Sequence, residues 1–138
     1  MPTEPGFDPV DSYMFLADGG GAVDLDPPDT FWAQLMSGEQ MSESTRRVAE
    51  TGGWLLSGYE LIEDMEHWEM HPEGNEILYM LSGACNVVLD EPAGERVINV
   101  ATGQACLVPQ GIWHRQVVIE PGRMLAITYG RGTQHRPQ

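Results

Sequence analysis

Lysine is absent from this chain, and positive charge of any kind is scarce: all seven bases are arginine, at positions 46, 47, 96, 115, 123, 131 and 136. The absence excludes chemistry that needs a lysine amine, namely a Walker phosphate lysine, a Schiff base or a lysine general base. Against the seven bases stand 21 acids, for a net charge of −14. Binding to phosphates needs clustered cations, so nucleic acid and anionic membrane are not expected as partners, and the charge reads as ordinary solubility. Cys85 and Cys106 are too few for a disulfide framework and read as small buried filler in a reducing cytoplasm. No apolar run nears the roughly twenty residues that cross a bilayer. The opening MPTEPGFDPV lacks the basic-then-apolar order of a signal peptide.

What is abundant is turn chemistry. Sixteen glycines and ten prolines in 138 residues favour one β-rich domain over a helical bundle. Residues 1–53 read as an N-terminal arm, a short helix and a loop. In the arm, Ser12 to Ala17 is strand-like and Gly19-Gly20-Gly21 could fold it back onto Ala22 to Leu25. The helix signal is Phe31, Trp32, Leu35 and Met36 on one face, with Asp29 or Thr30 as cap and Gly38 as stop. Residues 38–53 read as a polar loop, with an edge strand around Arg46 to Ala49. From Trp54 to about residue 130, short strand-like runs alternate with Gly, Pro or Asp breaks, the signature of an antiparallel barrel or sandwich. Residues 131–138 read as a solvated tail that carries His135.

Three of the four histidines lie on the predicted strands. Side chains alternate across a strand, so His67, Glu69 and His71 share one face and Trp68 and Met70 the other. If Glu69, His71, Glu76 and His114 point into one barrel, two imidazoles and two carboxylates converge. Such a donor set suits a divalent Fe, Mn, Ni, Cu or Zn ion. His67 sits one pleat repeat before Glu69, roughly 6.8 Å away, and reads as a polar residue at the barrel mouth. By the same parity Leu78, Met80, Gln116 and Val118 form a mostly apolar wall suited to a small, partly apolar ligand. Trp68 and Trp113 face away from the ligands, toward the helix or a subunit interface, and Arg115 reads as a surface charge.

Two segments resemble the paired motifs of the cupins. In the first, Glu69-Met-His71, four residues, Glu76, six residues and Gly83 follow the pattern G-x5-H-x-H-x(3,4)-E-x6-G, with Glu63 for the opening Gly and Glu69 for the first His. In the second, Gly103, five residues, Pro109-Gln-Gly111, two residues and His114 follow G-x5-P-x-G-x2-H-x3-N, with Val118 for the final Asn. The resemblance covers roughly residues 54–130. It implies an all-β, cupin-type antiparallel barrel (double-stranded β-helix or jelly roll) and a mononuclear divalent metal on Glu69, His71, Glu76 and His114.

Three readings of Glu69 stand side by side. It is a ligand; or it stays off a facial triad of His71, Glu76 and His114; or the site has decayed. Two buried, unpaired carboxylates are costly, which argues against decay. Glu69 or Glu76 could instead act as a general base when off the metal. The resemblance implies a metal-dependent enzyme, an oxygenase before an isomerase or lyase, or alternatively a ligand- or metal-binding module without turnover. It also implies a homodimer, to which residues 11–25 could add a strand on a neighbour's sheet.

Overall fold

The computed structural model describes residues 5–137. Along them run β1 (Met14–Ala17), β2 (Ala22–Asp24), α1 (Pro28–Ser37), α2 (Glu43–Glu50), β3 (Gly53–Leu61), β4 (His67–Met70) and β5 (Glu76–Met80). There follow β6 (Ala84–Glu91), β7 (Gly94–Val100), β8 (Ala105–Val108), β9 (Trp113–Glu120), β10 (Gly122–Thr128) and β11 (Gln134–Pro137). All strand pairings are antiparallel, in two sheets of order β2-β1-β3-β10-β5-β8 and β11-β4-β9-β6-β7. The sheets are not closed into one continuous barrel; they form the two halves of a sandwich. No helix among the described residues is long and apolar enough to cross a membrane.

Strand parity builds the main core. Leu78, Met80, Met124, Ala126, Cys106 and Val108 of the first sheet meet Cys85, Val87, Leu89 and Val100 of the second. Both cysteines are free and buried, as small apolar filler should be, and burial pushes the Cys85 thiol up to about 11. Gly83 turns β5 into β6 with φ 76°, and a Cβ there would lie 2.5 Å from the Glu120 carbonyl oxygen, so the motif glycine is a steric requirement.

A second, smaller core lies where β1 and β3 extend past the sandwich. Tyr13, Phe15, Phe31, Val48 and Leu55 pack together there, under α1 and α2. Helix α1 begins one residue before the expected caps. Pro28 occupies its first turn, where a missing N–H costs nothing, and Pro27 stands at the cap position without a side-chain cap bond. Gly38, at φ 70°, ends the helix as expected.

Residues 43–50 overturn the expected edge strand. They form α2 because the Ser42 hydroxyl accepts the Thr45 amide at 3.3 Å, and Thr45 and Val48 bury one helical face. The described residues therefore hold two helices rather than one. The last residues are also not a free tail, since β11 pairs with β4 and brings His135 opposite Glu69. On the outer face of that pair, Trp68 is buried beneath the Arg115 and Arg136 guanidiniums, whose central carbons lie 5.2 and 5.3 Å from its ring centroid; Arg136 also lies over Trp113. The covering of Trp68 and Trp113 thus includes arginines of the same chain, and Arg115 is a stacking residue rather than a plain surface charge.

Candidate metal centre

The two motifs meet because the strands that carry them are neighbours. Glu69 of β4 and His114 of β9 are register partners in one sheet, and Glu76 opens β5 in the facing sheet. His71 follows β4 directly. The Gly111 amide, in the turn before β9, donates to the His71 carbonyl at 2.9 Å, tying the first motif to the second. The four expected ligands come together: one donor atom from each of Glu69, His71, Glu76 and His114 lies within 4.8 Å of all the others. His71, Glu76 and His114 are buried, whereas Glu69 is a quarter exposed at the rim.

Hydrogen bonds to the outer ring nitrogens decide what the inner ones can do. The Thr133 hydroxyl donates to the Gly130 carbonyl at 2.6 Å, so only its lone pairs face His71 Nδ1, 2.7 Å away. With the hydroxyl so turned, His71 Nδ1 is the nitrogen that carries the ring hydrogen. His114 Nδ1 faces the Ile112 carbonyl at 3.3 Å, and a carbonyl can only accept, so it too carries its hydrogen. In the neutral rings both Nε2 atoms are then bare lone pairs. They point at Glu76 Oε1, at 3.3 Å from His71 and 3.0 Å from His114. The other Glu76 oxygen accepts a 2.5 Å bond from Thr128, which fixes the carboxylate.

Three acceptors thus converge with no hydrogen between them. His71 Nε2 and Glu76 Oε1 are buried without a hydrogen-bond partner, as is Arg115 Nε on the opposite face of the sheet. A positive particle is needed to make the arrangement stable. Without a metal it is a proton. Burial works to raise the Glu76 carboxyl, yet the imidazoles of His114 and His71 outweigh it and hold it at about 2. Burial works to lower His114, and the Glu76 carboxylate outweighs it in turn, so the ring titrates above its ordinary value. A cation can replace that proton, and neutral imidazoles anchored through Nδ1 are the form in which histidine binds metals. The residues present fit a divalent ion.

The surroundings follow the expected parity, with Leu78 and Met80 fully buried, Gln116 nearly so and Val118 packed on the core. Sequence reasoning missed Tyr59 of β3. Its hydroxyl reaches Gln116 Oε1 at 3.4 Å and Met124 Sδ at 3.0 Å, and burial, with the charges of Glu76 and Glu69, raises its pKa well above the ordinary phenol. It also missed Thr133, which reads in the sequence as part of a tail.

Residues 61–128 match the family model described as the cupin domain, and this part of the chain belongs to the cupin superfamily. Three solved structures are similar to parts of the chain. A cupin-2 domain protein from Shewanella frigidimarina is 14% identical, with 55% of this chain and 70% of that chain covered and a TM-score of 0.48. A Streptococcus pyogenes protein of unknown function is 23% identical, with 57% of this chain and 64% of that chain covered and a TM-score of 0.46. Oxalate decarboxylase from Bacillus subtilis, in a structure concerned with its Mn(II) centres, is 23% identical with a TM-score of 0.50; the match covers 66% of this chain and 25% of that one. At 23% identity this last likeness is one of fold alone. No curated protein matches the chain.

Proposed function

We propose that this cupin holds one divalent ion, drawn from Fe, Mn, Ni, Cu and Zn, on His71, Glu76 and His114, with Glu69 completing the set from the rim, and that it is an oxygenase acting on a small, partly apolar molecule. The observation that carries the metal is the convergence of His71 Nε2, His114 Nε2 and Glu76 Oε1, buried acceptors with no hydrogen to share. When bound, a redox-active ion supplies Lewis acidity and a path for electrons between O2 and a substrate.

The chain's own residues would divide the remaining work. Thr133 and Ile112 hold the two imidazoles in the ligating tautomer. Glu76, held at about 2 and fixed by Thr128, stays a carboxylate and is a poor base. Glu69 is a quarter exposed and, when it is off the metal, is the better placed of the two to accept a substrate proton. Val118, partly buried beside the core, favours an apolar portion of the substrate, and the Tyr59 hydroxyl, kept neutral, can donate to a polar one. Free buried cysteines fit a cytoplasmic protein.

Elemental analysis with an O2-uptake screen tests this reading. At least one ion per chain, with one fewer in His71→Ala, and O2 uptake that needs the ion His71 holds, is the expected result. An ion without turnover on any small carboxylate, phenol or thiol would make the protein a binding module, and no ion after reconstitution with all five metals would end the metal reading. The proposal includes a homodimer. Leu56, Ile127, Ile77 and Leu107 form an outward row across β3, β10, β5 and β8 in register, with Ile77 38% and Leu107 57% exposed. Such a row can be covered by the same face of a second copy about a two-fold axis.

A further inference from the structure

We propose a second metal position at the rim of the centre, formed by His67, Glu69 and His135, with the Glu69 carboxylate bridging it to the inner one. One donor atom from each of these three side chains lies within 4.8 Å of the others. They come together because β11 pairs with β4: His135 lies opposite Glu69, and Pro137 opposite His67, so His67, Glu69 and His135 share one face at the sheet's edge. The His67 and His135 rings pack edge to face with centroids 4.9 Å apart, which holds both imidazoles over the same spot.

Glu69 carries the bridge. Its Oε1 lies 3.3 Å from His71 Nε2, and its Oε2 lies 3.4 Å from His135 Nε2. One carboxylate thus turns its two oxygens to two different imidazoles, one buried in the inner set and one about a third exposed at the rim. That is how a carboxylate joins two ions about 3.5–4 Å apart in two-metal sites. Neutral imidazole and carboxylate oxygen suit Zn, Mn, Co or Cu. It also gives a reason for glutamate at position 69, since a monodentate imidazole has no second atom to offer the rim. Two ions so placed would clamp a substrate through two oxygen atoms, as a carboxylate or a vicinal diol presents them.

The rim position does not depend on the inner one being filled, and the test keeps the two apart. Metal-free protein is titrated with Zn2+ and with Cu2+, following stoichiometry by calorimetry and the Cu2+ signal by electron paramagnetic resonance. The full chain should take up two ions, with the Cu2+ signal diminished by coupling at the second equivalent. His67→Ala/His135→Ala should take up one, with an undiminished signal, and His71→Ala/His114→Ala should also take up one. The partly exposed His135 permits His135→Gln as a milder variant, with the same loss expected. A single ion in the full chain that survives His67→Ala/His135→Ala overturns the rim site. Two ions in both proteins overturn it equally. A single ion lost in that variant but kept in His71→Ala/His114→Ala supports the rim site and removes the inner one.

Discussion

Two polar clusters are tucked under the two cores, and they are built to opposite rules. Beside α2, Ser42 Oγ donates to Asp26 Oδ2 at 2.5 Å and accepts the Thr45 amide, while the Thr45 hydroxyl also reaches Asp26 at 3.4 Å and the Ser42 amide finds Gln34 Oε1 at 2.9 Å. The Ser42 and Thr45 donors each have an acceptor there. In the sandwich, Glu76, His71 and His114 are equally well anchored on their outer sides, by Thr128, Thr133 and Ile112, but their inner atoms face only one another and the Glu69 carboxylate. A closed network stabilises the fold and asks for no partner. A network closed on the outside and open on the inside is poised for a cation.

The largest effect that separates the clusters is on metal uptake. His114→Ala is expected to abolish the inner ion, and with it about 4 kcal/mol of ligand-linked stability at a metal concentration a thousandfold above Kd. Thr45→Val is expected to leave uptake unchanged. Thermal unfolding with and without added metal reads both.

Acid comes next. The folded Glu76 carboxyl lies at about 2, below its ordinary 4.5, so its stabilising contribution is complete above 4.5 and is lost as the pH falls toward 2. The loss is on the order of 3 kcal/mol in metal-free protein. His114 has the opposite sign: its pKa is raised, so its contribution is complete below 6.5 and disappears as the pH climbs past the raised value. Urea unfolding of the metal-free chain should therefore show greatest stability between 4.5 and 6.5, and a flat profile would contradict the proton account.

Smaller effects belong to the closed cluster. Thr45→Val leaves Asp26 short of a donor and should cost about 1–3 kcal/mol. Ser42→Ala removes the α2 cap and should cost about 1 kcal/mol. If either shifted metal affinity tenfold, the two clusters would not be independent.

The contrast also explains what could be read in the sequence. His71, Glu76, Gly83, Pro109, Gly111 and His114 carry their meaning in short-range spacing, and strand alternation placed Glu69 beside them. Residues 43–50 looked like loop because only Thr45 and Val48 are buried, and a polar helix is announced mainly by its cap. Thr133 and His135 were illegible for a different reason. GRGTQHRPQ has the composition of a tail, and only the long-range pairing of β11 with β4 gives those side chains a role. Tyr59 is one strand residue among many until β3 is seen to line the same interior.

The central claim is that the hydrogen-free meeting of two imidazoles and a carboxylate is a metal's coordination shell. X-ray absorption on the His135→Ala variant, loaded with one equivalent of Zn2+, tests it most directly because the rim is disabled. Nitrogen and oxygen scatterers alone at about 2.0–2.2 Å, with the outer-shell pattern of two imidazoles, are predicted. Sulfur at about 2.3 Å, from Cys85 or Cys106, or a hydrated ion with no imidazole, would contradict it.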